Sequence, residues 1–354
     1  MNFAPLITSA SISARWTEAA SNRTPLLGEG LFPADKKAGL DLKWLKGANG
    51  LPVSLMPSAF DVKSTFRNRP GFEFTETEMP FFKEGFHIKE KERQDLLRAA
   101  DSKDPYAREI IAKVYNDSDN LINGALVVGE RERMQLLFAE DGNAGITFVA
   151  NGVAYVYNYD PNGAWKAGNY FELTGTSKWD DADHADPYAD IDAAKQAINE
   201  KTGENIELAI MNSFTFNKLM KMKSIKERFL SSAGVSVGYL TKAEVRRVVE
   251  DTAEVRIVVY DKQYADENGI AHKYVPNGYV SLVPSGALGK TWFGTTPEEA
   301  DLISGGQVDV SVINKGIAVK KIVESDPVNV SIIATEIVLP SFERMDACAL
   351  LKVL

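Results

Sequence analysis

Apolar side chains recur at Ala107, Ile110, Ile111, Val114, Leu121, Ile122, Ala125 and Val128. The spacing follows the helical period of about 3.6 residues and draws one stripe. Arg108, Glu109, Lys113, Asn116, Asp117, Asn120 and Asn123 fall off it. Asp104 offers an N-cap oxygen, and Pro105 takes the first helical position, where a missing N–H costs nothing. Gly142 is a C-terminal stop. The pattern predicts one helix over 104–141, on the order of 50 Å long, more than an ordinary globular domain uses. No strict heptad is kept, which argues against a coiled coil. A long core helix and a strut for something extended and flat both fit.

On either side of this helix the period changes to two. Residues 51–95 alternate through Val53, Leu55, Phe60, Val62 and Phe66, turn at Asn68-Arg69-Pro70-Gly71, and return through Phe72, Phe74, Glu76, Glu78, Phe81, Phe86 and Ile88. They predict a long two-stranded excursion that must lie on a helix, another sheet or another molecule, because such a pair closes no core alone. Residues 89–98 read as a charged helical connector. Residues 145–160 form the clearest hairpin: Ile146 and Phe148 alternate, Asn151-Gly152 is a favoured turn pair, and Val153, Tyr155 and Tyr157 alternate back.

Asp186-Pro187-Tyr188-Ala189 repeats the Asp-Pro-Tyr-Ala start of the long helix and predicts a second helix to about 201, closed by Gly203. A strand over 206–211 precedes a helix over 214–231 capped at Asn212-Ser213. Thr241 and Glu244 make a capping box for another. Strands are expected over 254–260, 270–275, 279–284, 309–312, 317–323 and 328–338, and one more within 347–354. Residues 1–50 carry isolated large apolar residues, Leu6, Ile7, Trp16, Leu26, Leu27, Leu31, Phe32, Trp44 and Leu45, among small and polar ones. They read as an arm lying on another surface, the alternative being packing on the chain's own core.

Composition narrows the function. The chain has 354 residues, 44% hydrophobic and 25% charged, as in a folded soluble protein of two domains or one elaborated domain. A net charge of −9 argues against a protein whose main task is to grip nucleic acid. Cys348 is the single cysteine, and His87, His184 and His272 lie far apart, so neither a disulfide framework nor a Cys-cluster metal site is expected. The N-terminus lacks a signal-peptide pattern, and no apolar run reaches the roughly 20 residues of a membrane helix. The expectation is a protein made in a reducing cytoplasm.

Candidate chemistry is thin. Pro284 to Thr291 ends in Gly289-Lys290-Thr291 and looks like a phosphate loop, but Pro284 replaces its first glycine and Trp292-Phe293-Gly294 is a poor helix start. Lys290 is the residue on which a nucleotide-hydrolysing alternative would turn. Asp180, Asp181, Asp183, Asp186, Asp190 and Asp192 crowd one stretch, yet Ala185 and Asp186 occupy positions where a calcium loop needs a ligand and a glycine. Lys218, Lys221, Lys223, Lys226 and Arg228 could touch phosphate or form a solvated face. Gly28-Glu29-Gly30 lacks the third glycine of a dinucleotide loop, and no Gly-x-Ser-x-Gly elbow exists. The expectation is therefore no catalytic residue, no cofactor and no metal, and a structural role.

The most specific run is Tyr264 through Asp266, Glu267, Asn268 and Gly269, then Tyr274-Val275-Pro276-Asn277-Gly278, Val280, Leu282 and Pro284. Gly289, Thr291, Phe293, Gly294, Pro297 and Glu298 follow. With Asp104-Pro105-Tyr106 opening the long helix and a strand then helix over 206–230, this order resembles the phage lambda major head protein family, the capsid protein E type. The resemblance covers most of the chain and explains the false phosphate loop. It implies an α+β Hong Kong 97-like phage capsid fold with a long spine helix, an extended β-hairpin loop, and peripheral and axial domains. The implied division is an N-terminal arm at 1–45, the extended loop at 46–95, a peripheral domain at 96–205 with its spine at 104–141, an axial domain at 206–325, and a return to the peripheral domain at 326–354.

It also implies a major capsid protein that self-assembles as hexamers and pentamers into an icosahedral shell around double-stranded DNA. Arm and loop would reach neighbouring subunits, with Trp16, Phe32, Trp44, Phe66, Arg67, Arg69, Phe72, Phe74, Glu76 and Glu78 as candidate inter-subunit contacts. Scaffolding protein, portal and a decoration protein are the further partners implied, with packaged DNA as a non-specific neighbour and no membrane. Some related capsids cross-link a loop lysine; Lys63 and Lys83 are placed for it, though the lambda-type branch is not expected to use it. The alternatives are another phage structural protein, of tail tube or decoration type, which would lack the long helix.

Overall fold

The structure is a computed structural model describing residues 7–20, 23–46, 73–92, 94, 105–150, 153–233, 240–303, 305, 309–324 and 329–354. In chain order the described elements are α1 (Ser9–Ala20), α2 (Leu27–Leu31), β1 (Ala34–Lys36), β2 (Asp41–Lys46), β3 (Glu73–Glu78), β4 (Phe81–Ile88), α3 (Pro105–Leu137), β5 (Gly145–Ala150), β6 (Val153–Asn158), α4 (Ala164–Asn169), β7 (Tyr170–Glu172) and α5 (Pro187–Thr202). Then come β8 (Ile206–Met211), α6 (Ser213–Leu219), α7 (Lys223–Ala233), α8 (Lys242–Ala253), β9 (Arg256–Val259), β10 (Gln263–Ala265), β11 (Ala271–Lys273), β12 (Tyr279–Pro284), β13 (Lys290–Phe293), α9 (Pro297–Ile303), β14 (Asp309–Ile313), β15 (Ile317–Val323), β16 (Val330–Ser341) and β17 (Ala349–Lys352). The chain divides into two compact units, one from residues 1–43, 76–132 and 290–341, the other from 44–75, 133–289 and 342–354.

The first unit is built on β16, a 12-residue strand rich in β-branched side chains that favour a pleated, buried surface. Its sheet runs β1-β13-β16-β15-β14, and β4 also pairs with β16. β4 takes β16 residues Val330 to Ile337 and β13 takes Val338 to Ser341, so two strands share its length. The apolar stripe of α3 enters this core through Val114, Ile122 and Leu126, packed with Ile313, Val319, Val330 and Ile332. The 33-residue α3 is the spine read from the sequence, ending at Leu137; Gly142, at φ 73°, closes a separate 3-10 turn over Glu140–Gly142.

The arm departs from expectation. α1 lies on β14 and β15, and Ile7, Ile12 and Trp16 are buried in this unit's own core. Ser9 anchors it: its N–H and hydroxyl donate to Asp309 Oδ1 at 3.0 and 2.5 Å. Phe32 is fully buried, Thr291 Oγ1 donates to its carbonyl at 2.9 Å, and β1 then pairs parallel with β13. The described arm residues thus pack on their own chain, because β14 and β13 offer an open edge and an apolar floor.

The second unit has a mixed sheet in the order β7-β17-β12-β8-β9. β12 is buried at every position and pairs antiparallel with β17 and β8. Helices α5, α6, α7 and α8 supply Ile191, Ile198, Phe216, Ile225, Val245 and Val249 to its core. The expected caps are present. The Asp186 carboxylate accepts from Tyr188 N and Ala189 N, Asn212 Oδ1 from Thr215 N, and Thr241 with Glu244 closes a capping box. The helix expected over 214–231 is broken into α6 and α7, because the Lys223 N–H donates to Ala182 O at 2.8 Å instead of continuing the helix.

Strand pairing follows the two compact units. Residues 138–205 fall in the same unit as 206–289. β14 and β15, expected within 206–325, lie in the first unit, where β14 pairs with β15 and β15 with β16. The terminal strand β17 does not return with β16; it pairs with β12 and β7 in the second.

Candidate assembly interface

Three stretches that looked chemical are occupied structurally. At the phosphate-loop look-alike, Pro284 ends β12 and Lys290 opens β13, so a strand stands where a phosphate site needs a helix N-terminus. The loop turns its carbonyls inward: Arg344 Nη1 donates to Ser285 O at 2.9 Å and Ala287 O at 3.2 Å, while Nη2 pairs with Glu204 at 2.8 Å. A phosphate cradle needs the opposite polarity. Lys290 Nζ pairs with Asp35 at 2.7 Å, and that hydrogen bond holds the Asp35 carboxyl below its usual range.

Four of the six aspartates of 180–192 have separate work. Asp181 accepts from the backbone of Asp183 and His184 and from His184 Nδ1 at 2.9 Å; Asp186 caps α5; Asp190 accepts from Trp179 Nε1 at 2.9 Å, burial pushing its carboxyl up. Asp180 pairs with Lys218. Among the described residues no three His, Cys, Asp or Glu side chains converge for a metal. The basic set does not converge either, since Lys223 pairs with Glu227 at 3.7 Å and the Arg228 guanidinium lies over the Tyr188 ring at 4.3 Å.

β2 and β3 form a two-stranded sheet. Residues 47–72 between them, with Lys63, Phe66, Arg67, Arg69 and Phe72, lie outside the described residues. Trp44 is on β2; Phe74 and Glu76 are on β3, which ends with exposed Glu78. Trp16 and Phe32, candidate inter-subunit contacts by sequence, are 7% and 0% exposed within the chain.

Sequence reasoning passed over the clamp at the loop's base. Lys83 of β4 pairs with Glu298 Oε1 at 3.1 Å, and Thr335 Oγ1 donates to Oε2 at 3.1 Å. Beside it Glu299 pairs with Lys36 at 2.6 Å. Burial alone would raise the Glu298 carboxyl; hydrogen bonds from Lys83, its own backbone and Thr335 outweigh it and hold the group below its usual range. Both glutamates sit in the first turn of α9, where the helix dipole favours negative charge. Thr296-Pro297-Glu298 was the available signal, a capping threonine followed by proline at the first helical position. Lys83 is thus engaged within its own chain.

The sequence profile of the family described as phage major capsid protein E matches residues 8–353. The chain belongs to that family. It is a major capsid protein, the shell-forming protein of a phage head, and the expectation of a tail tube or decoration protein is set aside. No curated protein sequence matches this capsid protein. Among solved structures it is similar to a putative capsid protein of a prophage of Escherichia coli CFT073, at TM-score 0.62 and 15% identity over 98% of this chain and 99% of that one. It is also similar to a phage-related protein of Bordetella bronchiseptica RB50, at TM-score 0.54 and 16% identity over 98% and 97%. A third similar structure is the capsid of cyanophage A-1(L), at TM-score 0.50 and 12% identity over 94% and 93%. These likenesses are likenesses of fold, the Hong Kong 97-like capsid fold.

Proposed function

We propose that this capsid protein builds the head by placing its first unit as the peripheral domain and its second as the axial domain of hexamers and pentamers. In this arrangement the loop between β2 and β3 reaches a neighbouring subunit. The observation that supports it is the pair β2 and β3, a two-stranded ribbon whose 26 intervening residues, 47–72, carry Phe60, Phe66 and Phe72 among charges. Assembly occurs in the host cytoplasm on a scaffold and around a portal, packaged DNA is a non-specific neighbour, and the chain does no catalysis. Individual contacts of roughly −4 to −8 kcal/mol let wrong ones dissociate, and closure of the shell makes the ensemble stable.

Electron microscopy of purified protein tests this. Full-length chain is expected to give shells, whereas a variant with 47–72 replaced by a short Gly-Ser linker remains folded by circular dichroism and gives none. Shells of normal yield from the loop-less variant would overturn it. Removal of residues 1–45 would not be a clean test, because α1 packs in the core of the first unit and β1 pairs within its sheet.

A further inference from the structure

The hairpin β5–β6 has an unguarded edge. Gln135 of α3 acts as a short strand on its outer β5 side: Thr147 N donates to Gln135 Oε1 at 2.8 Å, and Gln135 Nε2 donates to Thr147 O at 3.3 Å. The backbone groups of Thr147 therefore point away from β6. Thr147 stands opposite Val156, so Thr147–Val156 is a non-hydrogen-bonded pair and Val156 turns its own N–H and C=O outward. Alternation puts Ala154 and Asn158 on the same outer edge. β6 pairs with no strand but β5 among the described residues.

The side chains divide in the same way. Ile146 and Phe148 are buried, at 0% and 5% exposure, on one face. Val149 and Val156, both 68% exposed, lie on the other with Thr147 and Ala154. Soluble proteins blunt such edges with lysine, proline or an inward charge. Here residues 144–159 contain no Asp, Glu, Lys or Arg, where the chain average of 25% would place about four. An uncharged edge offers nothing to DNA or to a charged partner, but a row of alternating donors and acceptors is its own complement.

We infer that β6 is an assembly contact that pairs antiparallel with β6 of a second copy of this chain. The inference rests on the shell reading, in which the neighbours of each subunit are copies of itself. A two-fold axis at Val156 sets Val156 against Val156 of the other copy and Ala154 against Asn158, joining two hairpins into one four-stranded sheet. Val149 and Val156 of both copies then form one continuous apolar face.

Two substitutions test it in full-length protein. Val156→Lys places an unpaired charge at the joint and is expected to lower shell yield at least about tenfold while leaving the melting temperature of the subunit unchanged. Val156→Cys places two thiols across the axis within disulfide reach, and Cys348 is buried and adds no background. Oxidised Val156→Cys shells are expected to give a disulfide-linked dimer that dissociated subunits do not. The disulfide decides the matter even if the lysine variant misfolds. Shells that form normally with no Val156→Cys dimer overturn the β6 pairing and leave the shell reading intact, as does a cross-link to a different polypeptide. Wild-type protein that forms no shell counts against the shell reading instead.

Discussion

Replacing Trp16 by alanine separates an arm that packs on its own chain from one that needs a neighbour. Trp16 keeps 7% of its exposure and packs with Ile7, Ile12, Val114 and Ile122. An indole side chain of about 200 Å² at about 25 cal/mol per Å² is worth about 5 kcal/mol, an upper figure because unfolded chains stay partly collapsed. Large-to-small replacements at such sites cost about 3–5 kcal/mol, and that is the expected loss. With a urea slope of about 2–3 kcal/mol/M, the midpoint should fall by about 1–2 M. The measurement is urea unfolding of dispersed subunits, below the concentration at which shells form, followed by far-ultraviolet circular dichroism. Trp16→Phe should recover a large part of the loss. A midpoint within about 0.3 M of wild type would refute the cis packing of α1 and return the arm to a neighbouring subunit.

Two further outcomes follow from the first unit. The Glu298 carboxyl is more acidic folded than unfolded, so its stabilisation is full at neutral pH, starts to fall near the ordinary value of 4.5 and is gone below the folded value. Glu298→Gln should therefore melt lower than wild type at pH 7 and converge with it as the pH falls through the folded value; a gap that stays unchanged on acidification would count against the Lys83–Glu298 clamp. At Gly316 an added Cβ would lie 2.0 Å from Phe293 Cδ1 and 2.7 Å from Phe293 Cβ, so the whole buried side chain would have to move. Gly316→Ala should cost about 1–3 kcal/mol, read as a lower melting temperature, and an unchanged value would show that the β14–β15 turn has slack.

Local features were legible where local chemistry decides them. Asp186, Asn212 and Thr241 announce helix starts because a side-chain oxygen satisfies an orphan N–H two or three residues away. The β5–β6 hairpin follows from alternation around Asn151-Gly152. The spine helix was readable because its stripe is long, although its end at Leu137 was not, since the apolar run continues through Phe138 and Ala139. What escaped was set by distant partners. α1 has only Ile12 and Trp16 as large buried residues, too few to show a helical period. The break between α6 and α7 depends on Ala182, roughly forty positions upstream. The division into units was hidden because each is assembled from three separated segments, and the switches at 289–290 and 341–342 carry no linker composition. The burial of Trp16 and Phe32 was hidden for the same reason, since the strands that pack on them lie far along the chain.

β17 lies between β7 and β12, inside its sheet, yet it is synthesised after both. A chain that stops before Ala349 leaves a missing slat in the middle of the second unit, with the buried faces of Val280 and Leu282 uncovered on one side. Such a product has no stable form in which to enter a growing shell. The same arrangement sets the timing: the second unit closes only after Lys352 has left the ribosome, so subunits still being translated cannot begin to polymerise through it. The place of one short strand thus acts as a completeness check on the second unit of every subunit.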